Sequence, residues 1–151
     1  MIRYLRALIT ALRFTMRGVQ PPGLRQPELY AWIKQMVVLV DAVYAAADAN
    51  GLDKAARTVA TVKLDGRALT LETMFGTLRY HAAQEYPSLL RTSGGRGINL
   101  GAIQASNLND RYWLLKLRDE SSLGSPAVQA ALAALAAHLD AIPSIAKQPT
   151  P

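Results

Sequence analysis

The sequence predicts an all-α fold, an antiparallel bundle of five to six helices, and three observations carry that expectation. Apolar residues recur at three- and four-residue steps through most of the chain, the spacing of a helix face. The eight prolines fall at candidate element boundaries and none interrupts a helical pattern. Half of the 151 residues are hydrophobic and 19% are charged, enough apolar material for one packed core.

The first element is MIRYLRALITALRFTMRG. On a helix at about 100° per residue, Arg3, Arg6, Arg13 and Arg17 fall with Thr10 in a sector roughly 80° wide. Leu5, Leu8, Leu12 and Met16 occupy the apolar remainder, and Gly18 with Pro21, Pro22 and Gly23 ends the element. Residues 1–18 are therefore expected as a basic amphipathic helix, residues 28–143 as the bundle, and residues 144–151 as a flexible tail.

A second helix spans about Glu28–Asn50, with Leu29, Ile33, Met36, Val37, Val40, Tyr44 and Ala47 on one stripe and Lys34, Asp41 and Asp48 opposite. Asp53 caps a third helix through about Leu64. A short hairpin around Asp65-Gly66 is the competing expectation, because short β-prone runs flank that dipeptide. The helix is favoured on the ground that a lone hairpin is marginal. Thr70 caps a fourth helix, which Pro87 limits at about Glu85 or Tyr86. Residues 88–107 are glycine-rich and read as irregular, with a turn of helix near 101–106. A fifth helix covers about Asn109–Asp119, and Ser125-Pro126 opens a sixth that runs to about Ala141 with eight alanines.

Charge and composition narrow the function. Five of the six net positive charges reside at the N-terminus: residues 1–27 hold five arginines and no acid, and the rest holds 12 basic and 11 acidic residues. With no cysteine, disulfides, thiolate metal sites and cysteine nucleophiles are excluded. No uninterrupted apolar run approaches the roughly 18 residues of a spanning helix. Arg6 and Arg13 break the N-terminal apolar stretch and no A-x-A follows, which speaks against a secretory signal. Nucleic-acid binding would need more basic residues and fewer large aliphatics in that segment.

The expected function is that of a non-catalytic interaction or adaptor protein of the cytoplasm, with membrane-surface association as an accompaniment. Its N-terminal helix would dock on an anionic membrane surface or on a partner subunit. Arg3, Arg6, Arg13 and Arg17 would supply attraction, and Leu5, Leu8, Leu12 and Met16 the buried contact. An aromatic or alanine-rich helix face would assist, and self-association is an equal form of the protein-partner expectation. The alternative is a helical bundle binding a small ligand or cofactor, with an enzyme as one form of it. It would centre on His81 and Glu85, four residues apart on one helix, and the 91–97 loop with Arg96; His138 is a remote candidate. No cofactor and no metal are expected: a third ligand is lacking beside His81, and no paired carboxylates or nucleophile elbow mark catalysis. Tyr80, Tyr86, Tyr112 and Trp113 stand out as aromatic anchors whose placement, core or interface, needs the fold.

Overall fold

The computed structural model describes residues 26–92, 97–119, 123 and 125–143; these are mostly helical, with one two-stranded sheet. Residues 1–18, with the arginine stripe, and the tail 144–151 lie outside the described residues, as does Arg96.

Helix α1, Pro27–Ala49, follows the sequence expectation closely. Pro27 opens it with its φ already set, Glu28 faces the positive end of the helix dipole, and Gly51 leaves it at φ 81°. Its buried stripe adds Trp32 and Val43 to the residues anticipated, while Val37 is only half-buried. Among the described residues, α1 is the helix long and apolar enough by length and composition to cross a membrane. Its apolar stripe packs against other helices here, most extensively against the last one.

Helix α2 is only Lys54–Val59, its first turn held by Asp53 accepting from the Ala56 N–H at 3.0 Å. The helix expected through Leu64 is corrected: Thr61–Leu64 (β1) and Arg67–Thr70 (β2) form an antiparallel hairpin, with Thr61 opposite Thr70 and Leu64 opposite Arg67. Asp65 and Gly66 both have positive φ, 52° and 79°, the geometry of a two-residue turn matched to strand twist. The hairpin is not alone. Val62 and Leu64 alternate into the core, and the Leu71 N–H bonds back to the Ala60 carbonyl at 2.9 Å.

Helix α3, Leu71–Tyr80, starts at Thr70, whose Oγ1 accepts from the Thr73 N–H. It does not stop before Pro87. A π-helical turn, His81–Glu85, leads into α4, Tyr86–Thr92. There the Tyr86 N–H reaches five residues back to His81, so the ladder is already widened where the Pro87 ring would meet a carbonyl.

The irregular stretch is corrected as well, since Gly97–Arg118 is one continuous helix, α5. The separate turn near 101–106 and the helix at 109–119 are parts of it. Leu100, Ile103, Asn107, Asp110, Leu114 and Leu117 recur at alternating three- and four-residue steps and are all buried, which outweighs the helix penalty of Gly97 and Gly101. Helix α6, Pro126–Asp140, begins at Ser125, but the serine hydroxyl makes no capping hydrogen bond. Helix α6 packs between α1 and α5. The Trp32 Nε1–H donates to the His138 carbonyl, and the His138 Nε2–H donates to the Trp32 carbonyl, both at 2.8 Å, joining α1 to α6.

Candidate functional site

The described residues place polar chemistry in two buried clusters and leave one helix face apolar and open. The first cluster surrounds His81, which the π-helical turn aims at α5. Its Nδ1–H donates to the Asp110 carboxylate, at 3.0 and 2.8 Å to the two oxygens. Its Nε2 lies 3.1 Å from Glu85 Oε2, the expected four-residue partner. The Tyr86 hydroxyl donates to Asp110 Oδ2 at 2.8 Å. Asp110 is 1% exposed, so this carboxylate receives its hydrogen bonds away from water.

The Asp110 hydrogen bond raises the His81 pKa above its ordinary value; partial burial opposes this, and the charges of Asp110 and Glu85 reinforce it. When protonated, the imidazolium uses both N–H groups, one toward each carboxylate. Tyr86 is pushed far above the ordinary phenol range, first by burial and then by the Asp110 charge, so it acts as a neutral donor. Its ring lies parallel to that of His81, with centroids 5.5 Å apart.

Of the residues singled out in the sequence, His81 and Glu85 meet as expected. His138 does not join them. It stacks on Trp32 at 5.1 Å, and the ring contacts reach His81 only through Trp32 and Tyr86. Glu85 also lines a surface cavity of about 460 Å³ with Tyr80, Gln84, Ser88 and Arg91, a lining that does not include His81. Among the described residues no group of three His, Cys, Asp or Glu side chains is arranged to hold a metal ion.

The second cluster was not legible in the sequence. Arg57, 4% exposed, donates from Nη1 to Asp48 and from Nε to Glu72, both at 2.6 Å, and also from Nη1 to the Leu52 carbonyl at 2.8 Å. Its guanidinium lies 4.9 Å from the centre of the Tyr44 ring, and that of Arg79 lies 3.9 Å from it. Burial alone would lower the Arg57 pKa, but the hydrogen bonds to Glu72 and Asp48 outweigh it and the pKa rises. This arginine ties α1, α2 and α3 together. Its sequence signals are Asp48, read there on the polar face of α1, and Glu72, in the first turn of the helix capped by Thr70; nothing in the sequence joins them to Arg57.

The open face belongs to α5. Leu108 is 58% exposed, and Tyr112 and Leu115 are 43% exposed each, four and seven residues along one helix. Beside them runs a groove of about 330 Å³ lined by Arg111, Leu115, Arg118, Ala133, Ala137 and Asp140, between α5 and the alanine-rich side of α6. The four aromatic anchors thus separate: Tyr86 is core, Trp113 half-buried, Tyr80 and Tyr112 exposed. No family model matches this chain, and no curated protein or solved structure matches it either.

Proposed function

We propose that this chain is a non-catalytic interaction protein, a five-to-six-helix antiparallel bundle that docks on a partner. The observation that carries this is the exposed apolar row Leu108, Tyr112 and Leu115 on a helix whose other side is already in the core. A helix apolar on one side needs only that side buried; a second apolar side is surplus to folding and fits association. The N-terminal segment would be a second contact. Arg3, Arg6, Arg13 and Arg17, with Leu5, Leu8, Leu12 and Met16, would engage an anionic membrane surface or a partner subunit at the cytoplasmic face. Each arginine at an anionic surface contributes about 1 kcal/mol, falling with salt.

Co-sedimentation of the full chain with anionic vesicles tests the second contact. Binding that disappears in high salt, and in a variant with all four arginines changed to glutamine, supports it. Unchanged binding by that variant, or none by the parent chain, removes the membrane from the proposal and leaves the α5 face to carry it.

The second function, a small-ligand site that uses Glu85 and Arg91, would rest on the Asp110–His81 pair. A buried carboxylate that fixes one imidazole nitrogen and leaves the other toward the surface is also how a general base is oriented. Here Glu85 occupies that outer nitrogen, which favours a structural ion pair. A change in His81 ring proton shifts on adding small anions, absent in Arg91→Ala, would bring the ligand-site function forward.

A further inference from the structure

Helix α5 carries a buried seam and an exposed apolar seam on opposite sides. The buried one, Leu100, Ile103, Asn107, Asp110, Leu114 and Leu117, faces the core. The other runs Ala105, Leu108, Tyr112, Leu115, with steps of three, four and three residues, and all four are exposed. That is the a/d spacing of a helix that receives another helix along its length. The flanking positions are Arg111 and Arg118 on one side and Lys116 on the other, with neutral Gln104 and Asn109 in the preceding turns.

The flanking charges decide between occupants. A second copy in either orientation would set these cations against one another, because flanks meet flanks across a helix pair. Asp140 and Asp119 do not neutralise them firmly. Arg111, half-buried, meets the exposed Asp140 at 3.4 Å, and Arg118 meets its own neighbour Asp119 at 3.3 Å with both exposed, and such surface pairs are weak. The groove beside the seam is floored by Leu115, Ala133, Ala136 and Ala137, small side chains that admit a close helix approach. Its concave shape suits a rod rather than a flat lipid surface. Tyr112 is held in place at one edge, its hydroxyl donating to Asp65 Oδ1 at 2.8 Å.

Resting on the interaction function proposed above, we infer that the α5 seam and the α5–α6 groove receive an amphipathic helix from a partner protein, with leucine-sized residues on its seam and glutamate or aspartate on its flanks. The occupant recognises shape through the seam and sign through Arg111, Lys116 and Arg118.

The test uses the full chain and a dye-labelled synthetic peptide of three heptads, leucine at a and d and glutamate at e and g. A second peptide has lysine at e and g. Fluorescence anisotropy should show the glutamate peptide binding about tenfold or more tightly than the lysine peptide, and more weakly at high salt. The variant Arg111→Glu/Lys116→Glu/Arg118→Glu should reverse that preference, and Leu115→Asp should abolish binding of both. Leu115, Lys116 and Arg118 are exposed and Arg111 is half-buried, and circular dichroism confirms that the variants stay helical. Equal affinity for the two peptides, binding by neither, or a preference that survives the charge reversal overturns the inference. A concentration-dependent dimer that excludes the peptide would assign the seam to a second copy, and displacement of the peptide by anionic vesicles would assign it to lipid; both overturn it. Salt-sensitive vesicle binding through the N-terminal arginines, with no peptide binding, would leave the interaction function standing and remove this partner alone.

Discussion

His81 shows how much one side chain can depend on residues distant in sequence. Its native pKa is raised, so the folded state binds the imidazole proton more tightly than the unfolded chain does. The stabilisation is full below the ordinary value of 6.5, where both states are protonated, and is lost as pH rises through the higher native value. Urea unfolding between pH 5 and pH 9 should therefore show stability falling relative to a His81→Gln variant as pH increases; parallel profiles would show that the pair contributes nothing. Asp110 is the more critical partner. Asp110→Ala removes the Nδ1 partner of His81 and the buried carboxylate that receives the Tyr86 hydroxyl, leaving Glu85 to His81 and Ser106 to Tyr86, and its cost in unfolding free energy should be about 3 kcal/mol. Arg57→Ala leaves Glu72 and Asp48 unpaired, but Asp48 is more than half exposed and reaches water. Its loss should be smaller, about 2 kcal/mol, as measured by the same denaturation.

At the scale of elements, legibility followed the strength of the local pattern. Helix α1 was read nearly to the residue because seven apolar positions hold one period between a proline and an Asn-Gly stop. The hairpin was misjudged because two four-residue strands were weighed as a lone hairpin, which is marginal by itself, whereas here they pack on the core. What fixes it is tertiary, the burial of Val62 and Leu64, together with a turn that needs positive φ twice. Gly66 therefore matters for its backbone alone, since a Cβ there would meet nothing. Gly66→Ala should cost about 1 kcal/mol with helicity by circular dichroism unchanged, and a neutral outcome would mean that the turn is not what holds the strands in register. The same reasoning explains α5 and the π-helical turn. Glycine content and Pro87 are local breakers, and both were overruled by buried residues three and four apart. Of the His81 cluster, Glu85 was visible at four residues, whereas Asp110 stands 29 residues away on a helix whose first half read as loop.

At the scale of the whole molecule, the division of α5 into a core side and an open side makes a quantitative demand. If the outer seam is surplus to this fold, it must be replaceable without loss. The double variant Leu108→Ser/Leu115→Ser should keep its unfolding free energy within about 0.5 kcal/mol of the parent chain, because exposed sites away from special contacts shift stability that little. Leu114→Ala, next to Leu115 in sequence but on the buried side, should lose about 2–5 kcal/mol by removing packed volume from the core. The contrast between adjacent leucines is the measurement, made by urea denaturation of the three proteins side by side. A loss of several kcal/mol in the serine variant would mean that the chain itself covers the seam in solution, and the face would then serve folding rather than a partner. Retained stability, with higher solubility of the serine variant, leaves an apolar surface that the molecule maintains without structural need.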